Sequence, residues 1–186
     1  MNQNRQIAII RTGTANLASV RAAFNRLNVP SCIVGSPLEL RVGDPLVLPG
    51  VGSFQHGMAA IRERKWETVI RQRLEENLPT LAICLGLQLL CRSSEENPGV
   101  AGLGLLPVTV ERLPSNVSVP QFGWNRIQSQ SEILDGGYVF YANSYCLSDI
   151  AGLSACGWEV ATSRHGIDIV AAVRKGRFWA CQFHPE

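Results

Sequence analysis

No stretch of this chain approaches the ~18 consecutive apolar residues that a membrane-crossing helix needs, although 46% of its residues are apolar. The opening Met1-Asn2-Gln3-Asn4-Arg5 leads into only four apolar positions, Ile7 to Ile10, too few for the core of a secretory signal. There is no basic cluster either. A net charge of +2 is spread along the chain, so nucleic acid is not an expected partner. The six cysteines, at 32, 84, 91, 146, 156 and 181, form no CxxC pair and no zinc spacing. Without an export signal they read as free thiols in a reducing cytoplasm, and the Asn116-Val117-Ser118 sequon reads as a chance match. Repeats and low-complexity linkers are also missing, and neither metal nor cofactor is expected. What remains is a globular chain of 186 residues. That length suits a single domain able to bury roughly 70% of its unfolded surface.

The first half alternates short apolar runs with amphipathic stretches. Ile7 to Ile10, Cys32 to Val34, Leu46 to Leu48 and Thr80 to Ile83 read as strands. Between them, a helix is expected from about Asn16 to Leu27, with Leu17, Val20, Phe24 and Leu27 on one face. A charged helix is expected from Met58 to Glu76, and another from Leu85 to Cys91. Such alternation implies right-handed βαβ units and a parallel sheet. Beyond Asn97 the pattern becomes strand candidates punctuated by Gly, Pro and Ser: 106–112, 119–128, 137–142, 157–162, 168–174 and 177–183. They predict an antiparallel extension of the same sheet. The fold class is therefore α/β, flavodoxin-like: a mixed, mostly parallel sheet flanked by helices.

Three motifs carry chemistry. In Ala82-Ile83-Cys84-Leu85-Gly86-Leu87-Gln88, a cysteine sits between strand and helix with small residues two positions either side. That is the nucleophile-elbow pattern, in which bulky neighbours would block the turn. The helix that follows offers N–H groups and positive dipole character to a thiolate, and the Leu85 N–H is a candidate oxyanion donor. A buried structural cysteine is the alternative. The chain closes on Cys181-Gln182-Phe183-His184-Pro185-Glu186. In an extended segment His184 and Glu186 face one side, and a cysteine nucleophile needs a base held by a third group. The two remaining histidines, His56 and His165, have polar surroundings and are expected at the surface. In Leu48-Pro49-Gly50-Val51-Gly52-Ser53-Phe54, two glycines after a strand allow the Val51 and Gly52 N–H groups to face an oxyanion. A plain tight turn is the alternative there.

Together the elbow, the Pro-Gly-x-Gly loop and the His-Pro-Glu ending resemble the class I glutamine amidotransferases, whose glutaminase domains use a Cys-His-Glu triad. Within that family the likeness is greatest to the glutaminase subunits of imidazole glycerol phosphate synthases, of histidine biosynthesis. It rests on the segments Thr12-Gly13-Thr14-Ala15-Asn16-Leu17, Ser94-Glu95-Glu96-Asn97-Pro98-Gly99-Val100, Gly102-Leu103-Gly104-Leu105, Val119-Pro120-Gln121-Phe122-Gly123-Trp124-Asn125 and Phe140-Tyr141-Ala142-Asn143-Ser144-Tyr145. The resemblance implies Cys84, His184 and Glu186 as the triad and Val51, Gly52 and Leu85 at the oxyanion. L-glutamine would be held by Gly50, Gln88, Glu96, Asn143, Ser144 and Tyr145, with the Glu96 carboxylate on its α-ammonium. Ammonia would pass to a (β/α)₈-barrel synthase subunit contacted by Asn16, Trp124, Asn125 and Phe140. Without the resemblance, Trp124 would read as a core aromatic and Glu96 as a solvated loop acid.

The chain departs from the family pattern at several points. Ala82 stands where a glycine is usual, Arg11 where an acid is common, Ala15 where a glycine is, and Gln121 and Asn143 where histidines are. Family chains also continue past His-Pro-Glu into a closing helix, so residues 1–186 are expected to be a domain that lacks this helix, a fragment of a longer chain. Other expectations stay open: the glutaminase of another class I amidotransferase, a cysteine hydrolase of γ-glutamyl compounds, or a catalytically defective partner subunit.

Overall fold

A computed structural model describes residues 5–13, 15–128, 134 and 136–186. Thr14, part of one segment carrying the resemblance, lies outside the described residues. The apolar runs of the first half form strands β1 (Ile7–Ile10), β2 (Ser31–Val34), β3 (Leu46–Gly50) and β4 (Thr80–Cys84), which pair in parallel. All five residues of β3 are buried, as expected of a strand covered on both faces. Helix α1 (Leu17–Arg26) starts where the Asn16 side chain accepts the Ser19 N–H, and it ends one residue before Leu27, which is 68% exposed. Only Leu17, Val20 and Phe24 of the expected face pack inward.

The single charged helix expected over Met58 to Glu76 is two helices, α2 (Phe54–Glu63) and α3 (Trp66–Glu75). The chain turns at Lys65, whose φ of 60° cannot continue a helix. This turn brings Trp66 into the same core as Met58, Ile61 and Ile70, all with no exposed surface. Burying each such side chain gains about 1.5–3 kcal/mol, ample to offset one left-handed residue.

Helix α4 (Leu85–Leu89) is shorter than expected, because Cys91 opens a strand, β5 (Cys91–Ser94). The chain continues through β6 (Leu106–Arg112), β7 (Gln121–Gln128), β8 (Gly137–Asn143), β9 (Tyr145–Cys146), the short helix α5 (Ile150–Ala155), β10 (Glu159–His165), β11 (Ile167–Lys175) and β12 (Phe178–Cys181). Neither α5 nor β9 was expected, both being too short to show a period, and the strand expected at 106–112 forms as β6 but pairs with β5 and β9 in a small separate sheet, not in the main one.

The main sheet has nine strands in the order β2-β1-β3-β4-β12-β11-β10-β7-β8. β12 differs from expectation. It lies parallel to β4 and antiparallel to β11, so it belongs to the parallel half and joins the two halves. Successive residues such as Ile9 and Ile10, or Val47 and Leu48, fall in separate clusters on opposite faces. Among the described residues, no helix is long and apolar enough to cross a membrane.

Candidate active site

The site forms where β4 ends. Cys84 has φ 53° and ψ −109°, a conformation that costs a non-glycine residue of order 1–3 kcal/mol and persists only where packing imposes it. The packing is on hand: a Cβ added to Gly86 would lie 2.1 Å from the Leu48 carbonyl oxygen, so only glycine lets α4 sit on β3. Ala82 is fully buried, in register with Leu48 and Ala180. Its methyl packs into the core cluster on one face of the sheet. With only five residues in α4, the local N–H groups, more than a helix dipole, polarise what approaches the sulfur.

β12 brings the second part. Past Cys181 the chain bends at Gln182 and Phe183, and the His184 N–H donates to the Phe140 carbonyl at 2.9 Å, which fixes it against β8. Phe183 packs edge-on to Tyr141, whose hydroxyl is hydrogen-bonded to Ser163 Oγ at 2.7 Å. His184 Nδ1 meets Glu186 Oε1 at 3.0 Å, with side chains 18% and 13% exposed. The imidazole is pushed up to about 10 by its hydrogen bond with Cys84 first and with Glu186 second, while burial opposes the shift. Burial alone would raise the Glu186 carboxyl, but the His184 bond and the residue's own N–H outweigh it and hold the group below its usual range. Glu186 Oε2 is buried and lacks a partner among the described residues.

A cavity of about 320 Å³ opens over these groups, lined by Val51, Gly52, Cys84, Leu85, Gln88, Glu96, Ala142, Asn143, Ser144, Tyr145 and His184. Glu96 is not a solvated loop acid: its Oε2 accepts the Phe54 N–H at 2.8 Å at the start of α2, and its backbone N–H is held by Ser94 Oγ. Its neighbour Glu95 is exposed and accepts the Arg112 N–H instead. Gln88 and Asn143 both donate to the Tyr145 carbonyl, at 3.2 and 3.0 Å, tying α4 to the wall beyond β8. Gly50 does not line the cavity. It sits under it, against Leu85 and Gly86.

Of the four residues assigned to a partner surface, Trp124 and Phe140 lie side by side on β7 and β8. Trp124 is 70% exposed, which rules out a core role, and stacks edge-on with Phe140, beside Phe122 on the same outer face of β7 and β8. Asn125 alternates to the other face and donates to the Arg164 carbonyl, while Asn16 caps α1. His56 is exposed and bonded to Ser53, and His165 is half-buried and bonded to the Ser118 carbonyl. Sequence reasoning missed two features: the exposed Phe122 and Tyr138 flanking Trp124 and Phe140, and buried Gln182, whose side chain reaches Cys84. An alternating aromatic pattern on β7 could have shown the first; nothing local marks the second. Among the described residues, no group of three or more His, Cys, Asp or Glu is placed to hold a metal.

A strained cysteine at a strand–helix bend, a histidine–glutamate pair from the segment after the adjacent strand and an acid across the cavity meet at one edge of the α/β sheet. The family model of class-I glutamine amidotransferases matches residues 14–186, and the chain belongs to that family. Among its relatives is the imidazole glycerol phosphate synthase subunit HisH of Oceanobacillus iheyensis, 38% identical over 97% of this chain and 90% of the relative. The protein of the same name from Moorella thermoacetica is 38% identical over 98% of this chain and 88% of its own length. In fold, the chain matches a crystal structure of a glutamine amidotransferase with a TM-score of 0.76 at 24% identity, covering 96% of this chain and 89% of that one.

Proposed function

We propose that this chain is the glutaminase subunit of an imidazole glycerol phosphate synthase, working in the cytoplasm, and that residues 1–186 act as one amidotransferase domain. The observation that supports this most is the cavity in which Cys84, His184 and Glu96 meet, with Glu186 behind the imidazole. Glutamine enters with its α-ammonium on Glu96 and its amino-acid end along Gln88 and residues 143–145. With His184 already holding the proton, the sulfur attacks the side-chain amide carbon. The oxyanion is held by the Leu85 N–H and by the Val51–Gly52 turn. His184 then returns the proton to the amide nitrogen, which leaves as ammonia. Water cleaves the thioester, its proton passing through His184, to give glutamate and free Cys84.

Ammonia then goes to a (β/α)₈-barrel synthase subunit, which joins it to a phosphoribulosyl-formimino nucleotide. The products are imidazole glycerol phosphate and an aminoimidazole carboxamide ribotide. The aromatic face of Phe122, Trp124 and Phe140 suits that docking better than Asn16, which is occupied at its helix cap. The modest net charge of +2 suits a protein partner and not nucleic acid.

Glutamate release, measured with and without the synthase subunit and its nucleotide, tests the reading. Gly52 has φ 91°, so the oxyanion turn rests on a residue free to reverse. One oxyanion donor is worth ~10²–10³ in rate, and a rise of that order with the partner bound is expected. Equal rates with and without it exclude such gating, and no glutamate under either condition excludes the function.

A further inference from the structure

We propose that Gln182 is a positioning residue for the nucleophile, holding Cys84 Sγ by an N–H donor and linking it through Gln88 to the wall of the substrate cavity. The proposal rests on the glutaminase reading for its role in turnover, though not for its geometry. Gln182 has no exposed surface, and a buried amide must find its partners within the protein. Its Oε1 accepts from Gln88 Nε2 at 3.0 Å, and its Nε2 donates to Cys84 Sγ at 3.7 Å. The other Gln88 hydrogen goes to the Tyr145 carbonyl at 3.2 Å. Both donors of Gln88 are therefore spent, which settles which way the Gln182 amide points. Flipped, it would set NH₂ against NH₂ and oxygen against sulfur.

The arrangement matters because of what surrounds the sulfur. Cys84 is 7% exposed and sits on a strained backbone, so few groups can reach it. Gln182 and His184 come from the short segment that follows β12, two residues apart. One offers the sulfur a permanent N–H donor, and the other exchanges its proton. A fixed donor holds the sulfur's rotamer while His184 moves between states, and favours negative charge there both before attack and when the thioester breaks. The Tyr145 carbonyl, at the far end of the relay, belongs to the cavity wall, so seating the substrate and setting the sulfur share one hydrogen-bonded chain.

The test uses Gln182→Glu, which keeps the acceptor for Gln88 but turns an oxygen towards the sulfur, and Gln182→Met, which keeps length and offers neither. The readout is iodoacetamide alkylation of Cys84, followed by peptide mapping across pH, with circular dichroism to check folding. Both variants should alkylate about 10–100-fold more slowly, the worth of one hydrogen bond to a charged group. The Glu variant alone should lose further reactivity as pH rises and the new carboxyl ionises. Its glutaminase loss should fall on kcat, with KM within about two-fold. Alkylation of Gln182→Glu at the wild-type rate and pH dependence overturns the proposal, leaving Gln182 as scaffold for Gln88. Should both variants fail to fold, the wild-type Gln182 side-chain amide resonance decides: it should move on alkylation of Cys84, and an unmoved signal overturns the contact. Alkylation needs no glutamine, so a supported contact alongside absent glutamate release would count against the glutaminase reading alone.

Discussion

Replacing Glu186 with glutamine removes one negative charge and almost no volume, so its effects report on the charge beside His184. The wild-type imidazole, at about 10, draws on Cys84 first and on Glu186 second. A glutamine oxygen can still accept the Nδ1–H at the 3.0 Å position, so the contact changes from a charge-assisted to a partly neutral hydrogen bond. That difference is about 1–1.5 kcal/mol, close to one pKa unit. Titration of the His184 ring protons by NMR should therefore show a fall of roughly one unit in Glu186→Gln and a larger one in Cys84→Ala. Stability follows with a definite sign. A folded imidazole raised above its unfolded 6.5 contributes fully below that pH and loses its contribution as pH rises through about 10. The depressed carboxyl contributes fully above its unfolded 4.5 and loses its contribution as pH falls through its folded value. Urea midpoints of the two proteins should differ most between those two unfolded values and converge towards pH 10. Turnover should fall on the order of 10²–10⁴-fold, the scale seen when the orienting acid of such a triad is neutralised. An unchanged His184 titration would refute the argument, whatever happened to the rate.

Three further outcomes are expected. A glutamine-like electrophile should label Cys84 alone, since burial pushes the Cys91 and Cys181 thiols far up, and Cys84→Ala should abolish glutamate release. Peptide mapping checks this, and label on Cys181 would count against Cys84. Glu96→Gln should raise KM for glutamine by about 10–100-fold through a weaker bond to the ammonium, and steady-state kinetics that instead show lost kcat would move Glu96 into the chemistry. Gly86→Ala should force α4 away from the Leu48 carbonyl 2.1 Å from the new Cβ. Overpacking of about 1–3 kcal/mol lowers Tm by roughly 2–12 °C, and displacing Cys84 costs about 10²-fold in rate. A variant with wild-type Tm and rate would show that the contact relaxes freely.

The parts legible in the sequence share one property: their signal is local. Buried strands such as Leu46 to Leu48 are continuous apolar runs, and the bend at Cys84 is written in Ala82 and Gly86, two positions either side. The βαβ half was readable on those grounds. The antiparallel extension was readable as strands, yet not the place of β12, because strand order is decided by long-range pairing with β4 that no local period encodes. The break at Lys65 was hidden by a helical pattern on both sides of it, and it exists to bury Trp66. In the site, His184 and Glu186 were visible as a pair two residues apart. Gln182 was not, because its importance comes only from meeting Gln88 and Cys84 in space.

The position of β12 also has a consequence for how the molecule is made. Gln182 and Cys84 are 98 positions apart in the chain, yet their strands are neighbours at the middle of the sheet. As the chain leaves the ribosome, β1 to β4 can pair early, but β4 must wait with one edge open until β12 is synthesised. Pairings of such separation slow folding, and an open central edge offers a template for the wrong strand. Until that gap is filled, the bend at Cys84 has no base beside it. On the proposed function, a nascent chain would be silent towards glutamine until the event that closes the sheet brings His184 to the sulfur.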